Sequence, residues 1–265
     1  MFRNKNKTWI LLGDFHTGSV TGLTRNPTNI IQNVLKQKYD DCINYLGAKP
    51  NVVVCNGDII HGIHKKKWKN ASNITLDEQA KDAAELLMMW NAIDEYIIIS
   101  GSQHNLSLNG ESLESMVCGH LEKLLRKEHN LDTRVTNKRM LKTIINDWFK
   151  LESRHKIGKS TVPYGKSTAQ SRAKIWNVLN AALKNESLAT LLIFSHVHYF
   201  NLQKDAFGTV ISLPCWQALG DNNEDDECDG HVDIGAIKLT IGEKDQWEMQ
   251  ERIYNASMVS RWGDR

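Results

Sequence analysis

The sequence has few cysteines, few prolines and no long apolar run. The cysteines are Cys42, Cys55, Cys118, Cys215 and Cys228. Their number is odd and no pair has Cys-x-x-Cys spacing, which argues against a disulfide framework and indicates reduced thiols. The longest early apolar stretch, residues 9–12, is too short for a signal peptide or a membrane span. We therefore expect a cytoplasmic protein with no membrane association.

Proline is scarce, with 4 in 265 residues, and no segment rich in Pro, Gly or Ser divides the chain. The length suits one large domain with a sizeable core, so we predict a single domain over residues 1–265. Lys plus Arg total 33 and Asp plus Glu total 31, for a formal charge of +2. Such a balance neither requires nor excludes nucleic acid as a partner, and the sequence leaves the oligomeric state open.

Short apolar runs alternate with helical patterns along the chain. In the first half, the predicted strands cover residues 8–13, 51–55 and 95–100, and the predicted helices cover 28–46, 76–91 and 112–126. In the second half, we predict two strands around the turn Asn146-Asp147, a helix over 168–183, a strand at 190–194 and short strands beyond 207. This alternation indicates an α/β fold with parallel strands linked by helices.

Residues that can bind a metal ion follow the predicted parallel strands. The segments are Gly13-Asp14-Phe15-His16, Asn56-Gly57-Asp58, Gly101-Ser102-Gln103-His104-Asn105 and Ser195-His196-Val197-His198. Because sites in open α/β sheets form where the carboxyl ends of strands meet loops, we expect these carboxylates and imidazoles at one edge. A single His of this kind is more often an ordinary hydrogen-bonded residue, but a set at four successive strand ends is not expected by chance.

Asp and His supply oxygen and nitrogen ligands for divalent transition metals, and the absence of Cys argues against a structural zinc cage. Asp14 and His16 lie two residues apart, as do His196 and His198. Two such clusters suggest two ions, which in dinuclear sites lie ~3.5–4 Å apart and share a bridging ligand. Asp58 stands alone after its strand and is the natural bridge.

The order Asp-x-His, Gly-Asp, Gly-x-x-His and His-x-His resembles the calcineurin-like metallophosphoesterase family. That family's usual signature is Asp-x-His, Gly-Asp, Gly-Asn-His-Asp/Glu, a lone His and Gly-His-x-His. The match runs from residue 9 to about 200, and the segments 13–23 and 56–64 also resemble calcineurin-like proteins carried by phages. The resemblance implies a four-layer α/β/β/α sandwich with two mixed β-sheets and metals at the strand ends on one edge.

The resemblance also implies a set of metal ligands. The first ion would be held by Asp14, His16, Asp58 and His198. Asp58 would bridge to the second ion, which His196 and a lone His also bind. Of the candidates His120, His129 and His155, we choose His155, because it ends a strand just before Lys156-Ile157-Gly158, where the family's ligand falls.

The chain departs from the family pattern in two places. The family's Asn ligand directly precedes the catalytic His, but Gly101-Ser102-Gln103-His104 has an extra residue and no Asn. Gln103 offers the same amide oxygen and is our predicted ligand, with Ser102, Asn105 or a water as alternatives. The second departure is Ser195 in place of Gly before His196.

The resemblance implies a hydrolytic mechanism at a dinuclear centre. Two divalent cations, Mn first and Fe, Ni or Zn as alternatives, would neutralise phosphate oxygens and activate a bridging hydroxide that attacks phosphorus in line. The expected catalytic residues are Asp58, as the bridge, and His104, as general acid or charge stabiliser.

The resemblance implies a phosphate-ester substrate, and a basic run suggests a phosphodiester, with DNA or RNA as candidates. Residues 65–69 (KKKWK) follow His61 and His64, and such a run can hold a phosphate backbone and stack a base, although most charge runs are solvated surface. We predict substrate binding by His61, His64 and Lys65, with Arg25 and Arg172 as further candidates.

A nuclease or phosphodiesterase is the preferred function. One alternative is a phosphomonoesterase acting on a small molecule or a protein, whose metal set would be identical. The other is a metal-binding module that has lost turnover. The acidic run at residues 221–229 lacks the spacing of a calcium-binding loop and is expected to be a solvated loop.

Overall fold

The computed structural model describes residues 6–62, 74–102, 112–128, 132–160, 165–219, 232–243 and 245–255. The first half of the chain forms β1 (Lys7–Leu12), α1 (Ile30–Leu46), β2 (Val52–Asn56), α2 (Leu76–Met88), β3 (Glu95–Ile99), α3 (Glu114–Lys127) and β4 (Arg134–Lys138). The second half forms β5 (Leu141–Ile145), β6 (Phe149–Ser153), α4 (Thr168–Lys184), β7 (Leu191–Phe194), β8 (Asn201–Asp205), β9 (Gly208–Ser212), β10 (Asp233–Ile241) and β11 (Trp247–Asn255).

The strands form two mixed sheets. The first has the order β11-β10-β1-β2-β3-β4. Strands β1 to β4 are parallel, β10 is antiparallel to β1, and β11 is antiparallel to β10. The second has the order β5-β6-β7-β9-β8, in which β6, β7 and β9 are parallel and β5 and β8 are antiparallel edges. The predicted α/β fold with two mixed sheets is therefore confirmed.

Side chains of the buried strands alternate between two apolar layers, as the period of a strand requires. In β1, Ile10 and Leu12 belong to the core shared with α1, α2 and α3. Trp9 and Leu11 belong to the core shared with the second sheet. On the outer face of the second sheet, Phe194 packs near Ala173 of α4. The layers are thus α/β/β/α, as expected.

Local signals explain where the helices begin and end. Helix α1 begins after Asn29, whose side chain accepts a hydrogen bond from the amide of Gln32, and ends at Gly47, which has φ 85°. Helix α2 begins with a capping box between Thr75 and Glu78. None of the described helices is long and apolar enough to span a lipid bilayer.

Strand β4 was not predicted from the sequence. Its residues, Arg134–Lys138, read RVTNK, which has neither an apolar run nor a buried face. The strand forms because its backbone pairs in parallel with β3 at the edge of the first sheet. A polar edge strand is typical of sheets that protect their edges from pairing with other chains.

An aromatic cluster supports the segment between β1 and α1. Phe15 packs edge-on against Tyr39, with ring centroids 5.7 Å apart, and Tyr39 packs in the same way against Trp216 at 4.9 Å. The Tyr39 hydroxyl accepts a hydrogen bond from Trp90 Nε1 at 2.8 Å and donates one to the Leu86 carbonyl at 3.0 Å. Because Phe15 lies between Asp14 and His16, this cluster anchors the backbone that carries both residues.

We predict that Tyr39→Phe destabilises the protein by about 1–2 kcal/mol, because the buried Trp90 N–H loses its acceptor. Urea unfolding of the variant and the parent protein measures the difference. Tyr45→Phe is the matched control, since Tyr45 is 51% exposed and its substitution should change little. Equal stabilities for Tyr39→Phe and the parent would contradict this role of the hydroxyl.

Candidate metal centre

The candidate site lies where the carboxyl ends of strands from both sheets meet. Asp14 and Asp58 follow β1 and β2 of the first sheet, whereas His155 and His196 follow β6 and β7 of the second. Six side chains form two groups whose ligand atoms lie within 4.8 Å of one another in each group. The groups are Asp14, His16 and His198, and Asp58, His155 and His196.

The first group joins one carboxylate to two imidazoles. His198 Nε2 lies 3.4 Å from Asp14 Oδ1, and the rings of His16 and His198 have centroids 5.2 Å apart. Asp14 is fully buried and His198 is 3% exposed. His16 Nε2 is buried and has no hydrogen-bond partner among the described residues. A buried nitrogen of this kind beside a carboxylate is a suitable metal ligand.

The second group has the same composition. His155 Nε2 lies 3.0 Å from Asp58 Oδ2, and the rings of His155 and His196 have centroids 5.1 Å apart. Ser102 donates to Asp58 Oδ1 from its amide at 2.7 Å and to Asp58 Oδ2 from its hydroxyl at 2.7 Å. The loop after β3 is thereby attached to the Asp58 carboxylate.

The two groups adjoin one another through Asp14. Its Oδ2 accepts a hydrogen bond from the His196 amide at 3.2 Å, and its Oδ1 lies 4.0 Å from His155 Nδ1. A residue of the first group therefore contacts two residues of the second. This proximity is what a pair of ions sharing ligands requires.

Backbone strain is concentrated at these residues. Five of the six have a left-handed backbone, with φ values of 51° for Asp14, 47° for His16, 46° for Asp58, 73° for His196 and 56° for His198. Such conformations are uncommon outside glycine and cost about 1–3 kcal/mol each. They cluster at functional sites, where the surrounding structure holds side chains in positions that a relaxed backbone would not provide.

The backbone around β2 fixes the orientation of His155. Its Nδ1 lies 2.8 Å from the Asn56 carbonyl, to which it donates, and 3.2 Å from the Ser195 hydroxyl. The Nε2 atom is left to face Asp58, as is usual for a histidine that binds a metal. Gly57 is required here, since it has φ 86° and a Cβ at this position would lie 2.3 Å from His155 Nδ1.

Burial and opposite charges shift the pKa values of these groups. Burial raises the pKa of the Asp58 carboxyl, but the charge and hydrogen bond of His155 outweigh it and hold that pKa well below its ordinary value. Burial lowers the pKa of His155, but the neighbouring Asp58 carboxylate raises it to about 9. Burial lowers the pKa of His16 to about 3. For Asp14, burial raises the pKa but the hydrogen bond with His198 holds it below normal.

The donor set fits divalent transition metals. Each group offers one carboxylate oxygen and two imidazole nitrogens, which suit Mn, Fe, Ni and Zn, and no thiolate takes part. The buried His16 nitrogen and the carbonyl-oriented His155 are features of metal-ligating histidines.

The remaining predicted residues lie in different places. His61 is buried beside the first group, with its ring centroid 6.0 Å from that of His16. Arg25 forms an ion pair with Glu85 of α2 at 2.8 Å, and it does not line the cleft beside the metal groups. Arg172 lies on α4, against the outer face of the second sheet. His64, Lys65, Gln103 and His104 lie outside the described residues.

A cleft of about 1090 Å³ borders the second group and contains residues that the sequence did not indicate. Its cationic lining residues are Lys138, Arg139, Arg154 and Lys156. Glu114, which is buried, also lines it and accepts a hydrogen bond from the Gly101 amide at 3.0 Å. Lys138 ends β4 and Arg139 follows it, whereas Arg154 and Lys156 follow β6. Only a correct assignment of β4 as a parallel strand could therefore have placed the first two cations here.

We predict that metal binding to the metal-free protein strengthens with pH. A metal must displace the proton of His155, whose pKa is about 9, so apparent affinity should rise about tenfold per pH unit between about pH 6 and pH 8. His16 adds nothing in this range, because its pKa is about 3. Calorimetric titration of chelated protein with Mn²⁺ at several pH values measures the slope, and an affinity independent of pH would contradict the proton at His155.

Comparisons with known proteins give likenesses in structure. No protein-family model matches the chain, and no curated protein does. An archaeal phosphodiesterase is 14% identical, with 93% of this chain and 99% of that chain covered and a TM-score of 0.46. Vps29 from Entamoeba histolytica complexed with Zn²⁺ is 11% identical, with 94% and 99% covered and a TM-score of 0.38. A predicted phosphoesterase from Streptococcus pneumoniae is 9% identical, with 93% and 98% covered and a TM-score of 0.34.

Likenesses at these TM-scores do not carry a function from one protein to another. The chain's own features are more specific: four layers, two mixed sheets and two adjoining Asp/His groups at one edge. In this architecture and in the order of its motifs, the chain resembles the calcineurin-like metallophosphoesterases.

Proposed function

We propose that the protein is a metal-dependent phosphodiesterase of the calcineurin-like family, acting on nucleic acid or nucleotides at a dinuclear centre. The observation that carries this proposal is the pair of adjoining groups, each with one carboxylate and two imidazoles. The same residues have strained backbones, buried ligand atoms and pKa values shifted by burial and by neighbouring charges. These features support a catalytic rather than a purely structural role for the site.

The proposed ligands are the six residues of the two groups. Asp14, His16 and His198 would hold one ion and His155 and His196 the other, and the family resemblance makes Asp58 the ligand that both ions would share. Gln103 is proposed as a further ligand of the second ion. When bound, two such ions would neutralise phosphate oxygens and lower the pKa of a bound water. Mn²⁺ is the proposed metal, with Fe, Ni and Zn as alternatives that the same donors accept.

His104 is proposed as the general acid that protonates the leaving oxygen. It follows Ser102 by two residues, and Ser102 is hydrogen-bonded to Asp58. The family resemblance gives this residue the role of protonating the leaving oxygen, and its position in the sequence follows a residue anchored at the candidate centre. Ser102 keeps the Asp58 carboxylate oriented, since its amide and its hydroxyl donate to the two oxygens of that carboxylate.

Cations around the cleft support a diester with several phosphates rather than a small monoester. Four basic side chains and one carboxylate line it among the described residues. Phosphates on either side of the scissile bond would contact these cations, whereas a small monoester would leave most of them unused. His61, His64, Lys65 and Arg25 remain proposed substrate contacts, of which Arg25 must first leave its ion pair with Glu85.

The proposal predicts that chelated protein reloaded with Mn²⁺ hydrolyses bis-p-nitrophenyl phosphate faster than p-nitrophenyl phosphate. Side-by-side release of p-nitrophenol measures both rates. Faster monoester turnover would instead identify a phosphatase. No turnover of either ester, with two ions bound per chain, would favour a binding module.

Two substitutions separate metal binding from proton transfer. Asp58→Asn should lose bound metal and turnover together, because the bridging charge is removed while Asn tolerates the left-handed backbone at this position. His104→Ala should keep its metal and lose about 10²–10⁴-fold in rate on a dinucleotide, whose alkoxide must be protonated. Its loss on bis-p-nitrophenyl phosphate should be smaller, because p-nitrophenolate leaves without a proton.

Metal content by atomic emission and initial rates on both substrates test these expectations. His120→Ala is the matched control, since His120 lies on α3 and interacts with Asp77 at 2.9 Å. An unchanged dinucleotide rate in His104→Ala, at equal metal content, would remove His104 from the mechanism. Full metal content in Asp58→Asn would remove Asp58 from the ligand set.

A further inference from the structure

A second concave surface lies on the opposite face of the second sheet from the inner core. It is a groove of about 410 Å³ between helix α4 and strands β5, β6 and β7. Among the described residues that line it, five are cationic and two are carboxylates. The cationic ones are Lys142, Lys150, Arg154, Arg172 and Lys184. None of the six candidate metal ligands lines the groove, so it is a feature separate from the metal centre.

The sheet side of the groove has more positive charge than its carboxylates can neutralise. Glu152, which is 11% exposed, lies 3.3 Å from Lys142, 3.9 Å from Lys150 and 3.8 Å from Arg154. Lys150 also reaches Glu186 at 3.5 Å. Three cations facing these two carboxylates leave a surplus of positive charge on this wall, which an anionic ligand would neutralise.

The helix side adds two exposed cations and an exposed aromatic ring. The described residues include no ion-pair partner for Arg172 or Lys184, and both side chains belong to exposed residues. Trp176 lines the groove between them along α4 and is 55% exposed. A large ring left this accessible in a cationic groove offers a stacking surface for a nucleobase.

The groove adjoins the cleft beside the metal centre. Arg154 lines both, and it directly precedes the candidate ligand His155. Beyond Arg154, the cleft carries Lys138, Arg139 and Lys156. Basic side chains thus extend from α4 across the end of β6 to the metal groups, which is the pattern of a surface that follows a phosphate backbone.

We propose that this groove binds single-stranded nucleic acid, with phosphates on the basic side chains and a base stacked on Trp176. A single strand is favoured over a duplex because the bases of a duplex are stacked on one another and would leave Trp176 unused. An acidic peptide would satisfy the cations but not the aromatic ring. The inference rests on the proposed function only where it joins this strand to the metal centre; binding in the groove stands without it.

The test measures binding of a fluorescein-labelled oligothymidylate to full-length, chelated protein, so that hydrolysis plays no part. Trp176→Ala should weaken binding about tenfold, as expected when one stacked base is lost. Arg172→Gln and Lys184→Gln should each weaken binding and lower the slope of log affinity against log salt by about 0.7, the value for one phosphate contact on a single strand. Fluorescence anisotropy at several salt concentrations measures both quantities.

Two control variants match these substitutions. Leu179→Ala removes an exposed apolar side chain from the same helix, since Leu179 is 45% exposed and does not line the groove. Lys127→Gln removes a cation from the last turn of α3, as Lys184→Gln does from the last turn of α4. Both controls should bind the oligonucleotide like the parent protein. Thermal unfolding followed by circular dichroism checks that every variant is folded.

The outcomes separate this inference from the proposed function. Binding that is lost in the three groove variants and kept in both controls supports the groove, whether or not the parent protein hydrolyses bis-p-nitrophenyl phosphate. Folded groove variants that bind like the parent overturn the inference, even if the ester is hydrolysed. Equally tight binding of poly-glutamate would assign the groove to an acidic peptide and overturn the inference. An unchanged oligonucleotide affinity in Trp176→Ala would remove the stacked base and overturn it as well.

Discussion

The candidate site depends on the contact between the end of β2 in one sheet and the ends of β6 and β7 in the other. Asn56 makes this contact: its side chain donates to the Arg154 carbonyl at 3.0 Å and accepts from the Ser153 hydroxyl at 3.0 Å. Its carbonyl accepts from His155 Nδ1 and from the Ser195 hydroxyl. Because Asp58 follows Asn56 by two residues while His155 and His196 directly follow its partners, this one junction brings the second group together.

The same junction explains how two carboxylates can be buried at one edge. Asp14 and Asp58 are 0% and 2% exposed, and a buried carboxylate is stable as an anion only where partners replace water. In the metal-free protein, protonated His155 and the donors of Ser102 fulfil this need for Asp58. A metal ion would replace the proton of His155 as the positive partner. The site therefore suits exchange of the His155 proton for a metal ion, because either one supplies the positive charge that the buried Asp58 carboxylate requires.

Much of this arrangement could be predicted from local sequence, because β1, β2, β3 and β7 are apolar runs followed at once by polar residues. The groups containing Asp14 and Asp58 lie together at the predicted edge, and His155 lies there rather than on a helix as His120 does. Long-range contacts could not be read in this way. Nothing near Asn56 in sequence indicates that it forms hydrogen bonds with residues about a hundred positions away. The sequence of β4 is polar, so neither that strand nor the position of the cleft cations at its end could be predicted.

The charges of the site argue for an extended anion as substrate. Two carboxylates and four neutral imidazoles carry a charge of two minus, so the two divalent ions that we propose would leave the centre with two positive charges, or one when hydroxide is bound. One phosphodiester brings a single negative charge, and the cleft adds four cations against one carboxylate. A small ester would leave most of this positive potential without a partner. A strand with several phosphates would neutralise this potential along the whole cleft. The basic surface beyond Arg154, which extends to α4, would then contact further phosphates of the same strand.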